Sequence, residues 1–509
     1  MKIRIIIPIT SRNFAIKMSA GYAEIARPDT AISVVCLDKG PASLESQYED
    51  AVAVPQVVLR TVDAEREGAD AVIIDCMNDP GLQAAREAVS IPVVGPAQSS
   101  MLLASILAHK FSVVSISARD VTPMELLVSR YGLKDKYAST RWVNIPVLDL
   151  HADEETLLDS LTAESIRAIR EDGAHAIVFG CGGMIGLSGK LEERLKSQGL
   201  DAIVIDPSQA ALKWAEMLVD LDLAQSRRTY PLLDEEVFSR HTASSADRVL
   251  ETQGEISASP KLHIIEPVVR GFREENWLEV CLEENREFAR KGSSVKISAI
   301  QSGPATLETR YAEALAVPEM LRLVRSAEQN GDSAAVIDCM YDPSLDPARE
   351  VATIPVVGPS QTSAFLAASL AHRFSYLGTS SDMEQKLTDQ AEEYGISSKL
   401  ASVRTTGLSV EEVETNPEAL FKALLREAEK AVLEDNADCL ILGCTGMTGI
   451  AGKLRKALLD KQIDVPVIEP MAAAFKMAEA LSDLGLAQSK LTYPQPPKKT
   501  LTGYSDLEI

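Results

Sequence analysis

Short β-branched runs punctuate the first half of the chain: KIRIII from Lys2, AVIID from Ala71, IPVV from Ile91, FSVVSI from Phe111, AIVFG from Ala176 and AIVID from Ala202. Each is nearly continuous in apolar residues, whereas a strand with one face in water alternates apolar with polar. Strands covered on both faces read this way, and the stretches between them have the amphipathic period of helices. The alternation predicts βαβ units with parallel sheets, an α/β chain. Ligands of open parallel sheets sit beyond the carboxyl ends of the strands, so chemistry is expected in the residues that follow each run.

The pattern occurs twice. GPASLESQYEDAVAVP from Gly40 returns as GPATLETRYAEALAVP from Gly303, 263 positions on. GADAVIIDCMNDP from Gly68 returns from Gly331 as GDSAAVIDCMYDP, IPVVGPAQSS from Ile91 returns from Ile354, and DGAHAIVFGCGGM from Asp172 returns from Asp435, each at the same spacing of 263. LAQSRRTYP ending at Pro231 matches LAQSKLTYP ending at Pro494. Only the first strand drifts, since IIIPI around Pro8 pairs best with IIEPV around Pro267, 259 positions on. The expected organisation is a unit over 1–231, a charged and small-residue linker over 232–260, a second unit over 261–494 and an extension over 495–509.

Composition narrows the partners. The chain has 509 residues, 46% hydrophobic and 25% charged, which is globular and too long for one core. A net charge of −23 disfavours nucleic acid and anionic membrane surfaces, leaving a small molecule as the natural partner. No apolar stretch reaches spanning length, and the apolar run at the N-terminus stops at Pro8 without a signal-type cleavage pattern. The seven cysteines are an odd number spread through a long chain, unlike a small disulfide scaffold, so a cytoplasmic location is expected.

Two cysteines per unit fall at strand ends. Cys76 follows AVIID and precedes MNDPGL, and Cys181 follows AIVFG and precedes GGM; their counterparts are Cys339 and Cys444. A thiol near a helix start is expected to have its pKa lowered by unpaired N–H groups and the helix dipole. Two such thiols on opposite sides of one carbon can remove a proton from one face and deliver another to the second, inverting the centre. Cys36, Cys281 and Cys439 read instead as packing residues. Asp75 and Asp79 flank Cys76, yet no histidine lies near the cysteines in both copies, so no metal site is expected. His109 and His372 read as helix-end or surface groups, and Gly180-Cys181-Gly182-Gly183 lacks the length and lysine of a phosphate loop.

GPASLESQYEDAVAVP, DCMNDPGL, IPVVGPAQSS and FGCGGM, with the paired cysteines, resemble the aspartate/glutamate/hydantoin racemase superfamily, in its hydantoin and allantoin racemase branch. The resemblance covers nearly all of both copies. It implies two tandem racemase-like units, each of two Rossmann-like three-layer subdomains with parallel sheets and a cleft between them. It implies racemisation or epimerisation without cofactor, of a hydantoin, allantoin or amino acid, with Cys76 and Cys181, or Cys339 and Cys444, as the acid/base pair. It places Pro8, Thr10 and Ser11 against the substrate in unit 1, with Met77, Asn78, Gly182 and Gly183 around the cysteines. Met340, Tyr341, Thr445 and Gly446 take those places in unit 2, where Glu266-Pro267-Val268-Val269-Arg270 replaces the early polar loop. Cis–trans isomerases of the maleate type and arylmalonate-type decarboxylases of the same superfamily remain alternatives, as does a binding protein without chemistry. Whether chains associate further into a homo-oligomer is open; the fusion already joins two units in one chain.

Overall fold

The computed structural model describes residues 1–150, 152–232, 250–253, 259–271 and 273–497. The chain divides into two compact units, Met1–Ser257 and Ala258–Ile509.

In unit 1 the first sheet has the order β4-β3-β1-β2-β9, built from β1 (Lys2–Ile7), β2 (Ala31–Cys36), β3 (Ala71–Ile74), β4 (Val93–Val94) and β9 (Leu250–Gln253). The first four are parallel, and β1 to β3 join through helices Arg12–Ile25 and Gln47–Arg66. The second sheet, all parallel, has the order β6-β5-β7-β8, from β5 (Phe111–Ser115), β6 (Tyr137–Trp142), β7 (Ala176–Phe179) and β8 (Ile203–Ile205). The central strands β3, β5 and β7 are buried at every residue, which is why their sequences do not alternate. β9 is a departure from the expected linker over 232–260: residues 250–253 pair antiparallel with β2. The rest of that segment is outside the described residues except 232, 259 and 260, and so is the expected C-terminal extension from 498 onward.

Two helices bind the sheets of the unit together. Pro96–Leu107 follows β4, is buried at all twelve residues, and packs against Pro207–Asp220, which follows β8 and returns to the first sheet. Proline at the first helical position suits both, since that N–H has no partner within a helix.

Unit 2 repeats the plan. Its sheets have the orders β11-β10-β12-β13 and β15-β14-β16-β17. The first uses β10 (Lys261–Glu266), β11 (Ser294–Ala299), β12 (Ala334–Ile337) and β13 (Val356–Val357); the second uses β14 (Phe374–Gly378), β15 (Leu400–Thr405), β16 (Cys439–Leu442) and β17 (Val467–Ile468). Helices Pro359–Leu370 and Pro470–Leu484 form its central pair.

The strongest sequence matches outside the cysteine motifs are structural clamps. Arg86, 2% exposed, donates from Nε to the Val93 carbonyl at 3.1 Å and from Nη2 to Gln98 Oε1 at 2.7 Å, and stacks 5.4 Å from the Tyr230 ring centroid. Gln225 of the LAQS segment accepts from Val93 N and donates to Val93 O. In unit 2 Arg349, Gln361, Gln488 and Tyr493 hold Val356 in the same way.

Candidate active site

β3 ends at Ile74, and Asp75 and Cys76 follow at the rim of the first sheet. The turn beyond needs Asp79 at φ 46° and Gly81 at φ 72° before helix Leu82–Ala88 begins. The Asp79 carboxylate accepts from the N–H groups of Ala97 and Gln98, both at 3.0 Å, and from the Tyr131 hydroxyl. It therefore caps the central helix, and a Cβ on Gly95 would fall 2.4 Å from it, so glycine is required there. Asp342 caps the matching helix through Ser360 and Gln361. The aspartate of DCMxDP thus holds the cysteine turn and the helix after β4 in one piece.

Cys181 follows β7 on the second sheet and precedes a three-residue 3₁₀ turn, Gly182–Met184. Cys76 and Cys181 line one cavity of about 50 Å³ together with Pro8, Phe14, Asp75, Asn78 and Gly183. Met77 and Gly182 line it too; Thr10 and Ser11 do not. Thr10 turns its hydroxyl to the Pro41 carbonyl, and the Ser11 carbonyl accepts from Cys36 Sγ at 3.4 Å, so the chain after Pro8 closes against its own neighbours. In unit 2 Cys339 and Cys444 line one cavity of about 130 Å³, with Met340, Tyr341, Thr445, Gly446 and Pro267. The four strand-end cysteines are partly exposed, whereas Cys439 is buried within β16. Cys281, read from sequence as packing, lines the unit 2 cavity. His109 and His372 lie exposed just past the ends of the central helices.

The electrostatics depart from expectation. Burial pushes the Cys76 thiol well above its ordinary range, with Asp50, Cys181 and Asp75 adding to the rise and the Asn78 N–H opposing it. Cys181 is pushed up to about 12 by burial, against the pull of the Gly183 N–H and reinforced by Asp75, Asp120 and Glu45. Cys339 rises for the same reasons, burial first, opposed by the Tyr341 N–H and aided by Cys444, Asp342 and Asp338. The expected helix-dipole lowering fails because helix Leu82–Ala88 starts six positions past Cys76 and Cys181 meets only a 3₁₀ turn, while carboxylates surround both sulfurs.

Sequence reasoning weighed Asp75 only as a metal ligand. It is 5% exposed, accepts from Ser208 Oγ at 2.9 Å, and has its carboxyl pushed up to about 7, by burial above all. A Cβ on Gly182 would sit 2.8 Å from Asp75 Oδ1, so the glycine after Cys181 lets the two rims close on each other. The signal was present, since aspartate precedes the cysteine in both units. Around the second cavity the chemistry differs. Asn78, which donates to Asp50 at 2.9 Å, is replaced by Tyr341, whose ring centroid is 3.3 Å from Lys386 Nζ; Lys386 pairs with Glu313. Among the described residues no three His, Cys, Asp or Glu side chains gather as a metal site, and no helix is long and apolar enough to cross a membrane.

Two α/β subdomains per unit, each bringing a strand-end cysteine to a shared cavity, define a racemase-type isomerase fold. The family model for Asp/Glu/Hydantoin racemase matches residues 3–215 and 275–478, and the chain belongs to that family. The hydantoin racemase of Pseudomonas sp. (strain NS671) is 40% identical over 231 residues, 45% of this chain and 91% of that protein. The hydantoin racemase of Rhizobium meliloti is 39% identical over 202 residues, 40% of this chain and 82% of that one. Among solved structures, allantoin racemase from Klebsiella pneumoniae is 33% identical, covering 46% of this chain and 94% of its own, with a TM-score of 0.44.

Proposed function

We propose that each unit racemises or epimerises a small carbon acid of the hydantoin, allantoin or amino acid type, without a cofactor, by a two-cysteine acid/base pair. The observation that carries this reading is that Cys76 and Cys181, delivered by two different sheets, line one cavity, as Cys339 and Cys444 do, with Cys181 raising Cys76 and Cys444 raising Cys339. Kinship with two hydantoin racemases supports the substrate class.

One sulfur enters the cycle as thiolate. It takes the proton from the carbon next to the carbonyl, and the C–H electron pair moves to form an enolate. The partner thiol then delivers its proton to the opposite face of that carbon, the C=O bond reforms, and the thiolate has changed sides. The next turnover in the reverse direction, or exchange with water, restores the first state. Backbone N–H groups around Gly182 and Gly183, or Thr445 and Gly446, stabilise the developing oxygen charge. Because burial favours neutral thiols, the pair rests mostly protonated and gains base strength when a thiolate does form.

The decisive measurement is turnover of one enantiomer in deuterium oxide. Product is expected to carry solvent deuterium at the inverted carbon; inversion with full retention of the original hydrogen would contradict the mechanism.

A further inference from the structure

The unit 2 cavity is larger than that of unit 1, about 130 Å³ against about 50 Å³, and it runs along a helix that the smaller one barely touches. That helix, Trp277–Arg286, stands where Arg12–Ile25 stands in unit 1. The two units enter this helix in step, with Thr10 N bonded to Pro41 O and Val269 N to Pro304 O. They leave in step 263 positions apart: Arg27 N bonds Glu216 and its guanidinium Asp220, as Arg290 bonds Glu479 and Asp483. The drift from 259 to 263 is therefore spent in the loop before the helix, which brings in Arg273, and the helices themselves match at 263.

On that register Met18 becomes Cys281 and Tyr22 becomes Asn285. Met18 and Tyr22 are fully buried and line no part of the unit 1 cavity; Cys281 and Asn285 both line the cavity of unit 2. The replacements carry half the side-chain atoms, and in a close-packed interior that volume becomes open space. Asn285 is 4% exposed. Its Nδ2 donates to the Cys281 carbonyl at 2.9 Å, while Oδ1 has no hydrogen-bond partner among the described residues. A buried oxygen left this way calls for a donor.

Anions supply the rest of the wall. Glu266 at the end of β10 and Asp338 after β12 are hydrogen-bonded carboxyls that both line the cavity, and burial raises Asp338. Glu284, exposed and one position before Asn285, and Glu308 also line the cavity. Arg273, the one arginine among the lining residues, stacks 5.1 Å from the Trp277 ring centroid, donates to the Ala305 carbonyl at 3.0 Å and offsets part of the charge at Asp338. Negative charge remains in excess.

We propose that unit 2 has a side pocket, ending at Asn285, for a substituent that terminates in a cationic nitrogen, an ammonium or guanidinium. The nitrogen donates to Asn285 Oδ1 and faces Glu284 and the Glu266–Asp338 pair. Tyr22 fills this space in unit 1, so the two units differ in the substituent they admit. Only the identity of the carbon acid rests on the function proposed above.

Calorimetric binding to the full chain tests it, using hydantoins that carry an aminopropyl or aminobutyl group against butyl and pentyl hydantoins of matching length. One site is expected to prefer an amino probe by about tenfold or more. Asn285→Tyr and the smaller change Asn285→Leu should each abolish that preference, and Glu284→Gln, at an exposed position, should weaken it about threefold. Retained binding of methylhydantoin at two sites per chain verifies that the variants are folded. No preference, a preference that survives both Asn285 variants, or no binding of any probe overturns the side pocket. Circular dichroism of the same single-enantiomer probes separates the two proposals: preference without inversion removes the racemase reading and leaves the pocket, whereas inversion without preference does the reverse.

Discussion

A base that starts protonated leaves its signature in the pH dependence. Burial raises Cys76, Cys181 and Cys339, so kcat/KM is expected to climb between pH 7 and 9, approaching tenfold per unit. A flat profile over that range would contradict the raised thiols. Asp75 raises both unit 1 thiols when ionised, so Asp75→Asn should move the unit 1 profile to lower pH. The same residue affects stability. Its folded pKa, about 7, lies above its ordinary value of 3.8, so the folded state holds the extra proton between those limits and stability falls as pH rises through that window. Above pH 7 the penalty is on the order of 4 kcal/mol. Asp75→Asn should therefore raise Tm more at pH 8 than at pH 4, and an equal effect at both would refute the assignment. The Asp75–Cys76 adjacency was legible in the sequence, but the burial and the distant carboxylates Asp50 and Asp120 were not, so a thiol beside a turn looked activated.

At the scale of elements, the buried parallel strands and the repeat were open to reading, since their patterns are local. β2, β6 and β9 were not picked out: β6 lies at the edge of its sheet and mixes polar with apolar residues, and β9 pairs antiparallel from a polar context. Thr10 and Ser11 came from the family resemblance alone; neither lines the cavity, the Thr10 hydroxyl donating to the Pro41 carbonyl and the Ser11 carbonyl accepting from Cys36. The four-residue expansion that carries Arg273 showed only as a drift in spacing. Asp79 is the most consequential element-scale contact. Asp79→Ala leaves the Ala97 and Gln98 N–H groups and the Tyr131 hydroxyl without their acceptor, and should cost about 3 kcal/mol by denaturant unfolding, with loss of unit 1 activity alone.

For the whole chain, the two cavities predict separable activities. Cys76→Ala should remove inversion of substrates admitted by unit 1, and Cys339→Ala that of substrates admitted by unit 2, with each variant keeping the other's kcat within about twofold, as sites without shared partners behave additively. Assays against single enantiomers by circular dichroism check this, and complete inactivation by either single change would refute independent sites. The clamps bear on the same scale. Arg86, Gln225 and Tyr230 recur as Arg349, Gln488 and Tyr493 with nearly unchanged distances, while Tyr22, Asn78 and Met18 have become Asn285, Tyr341 and Cys281. Because both units lie in one chain, one ribosomal pass always delivers them in equal number, so neither cavity can be produced in excess of its twin.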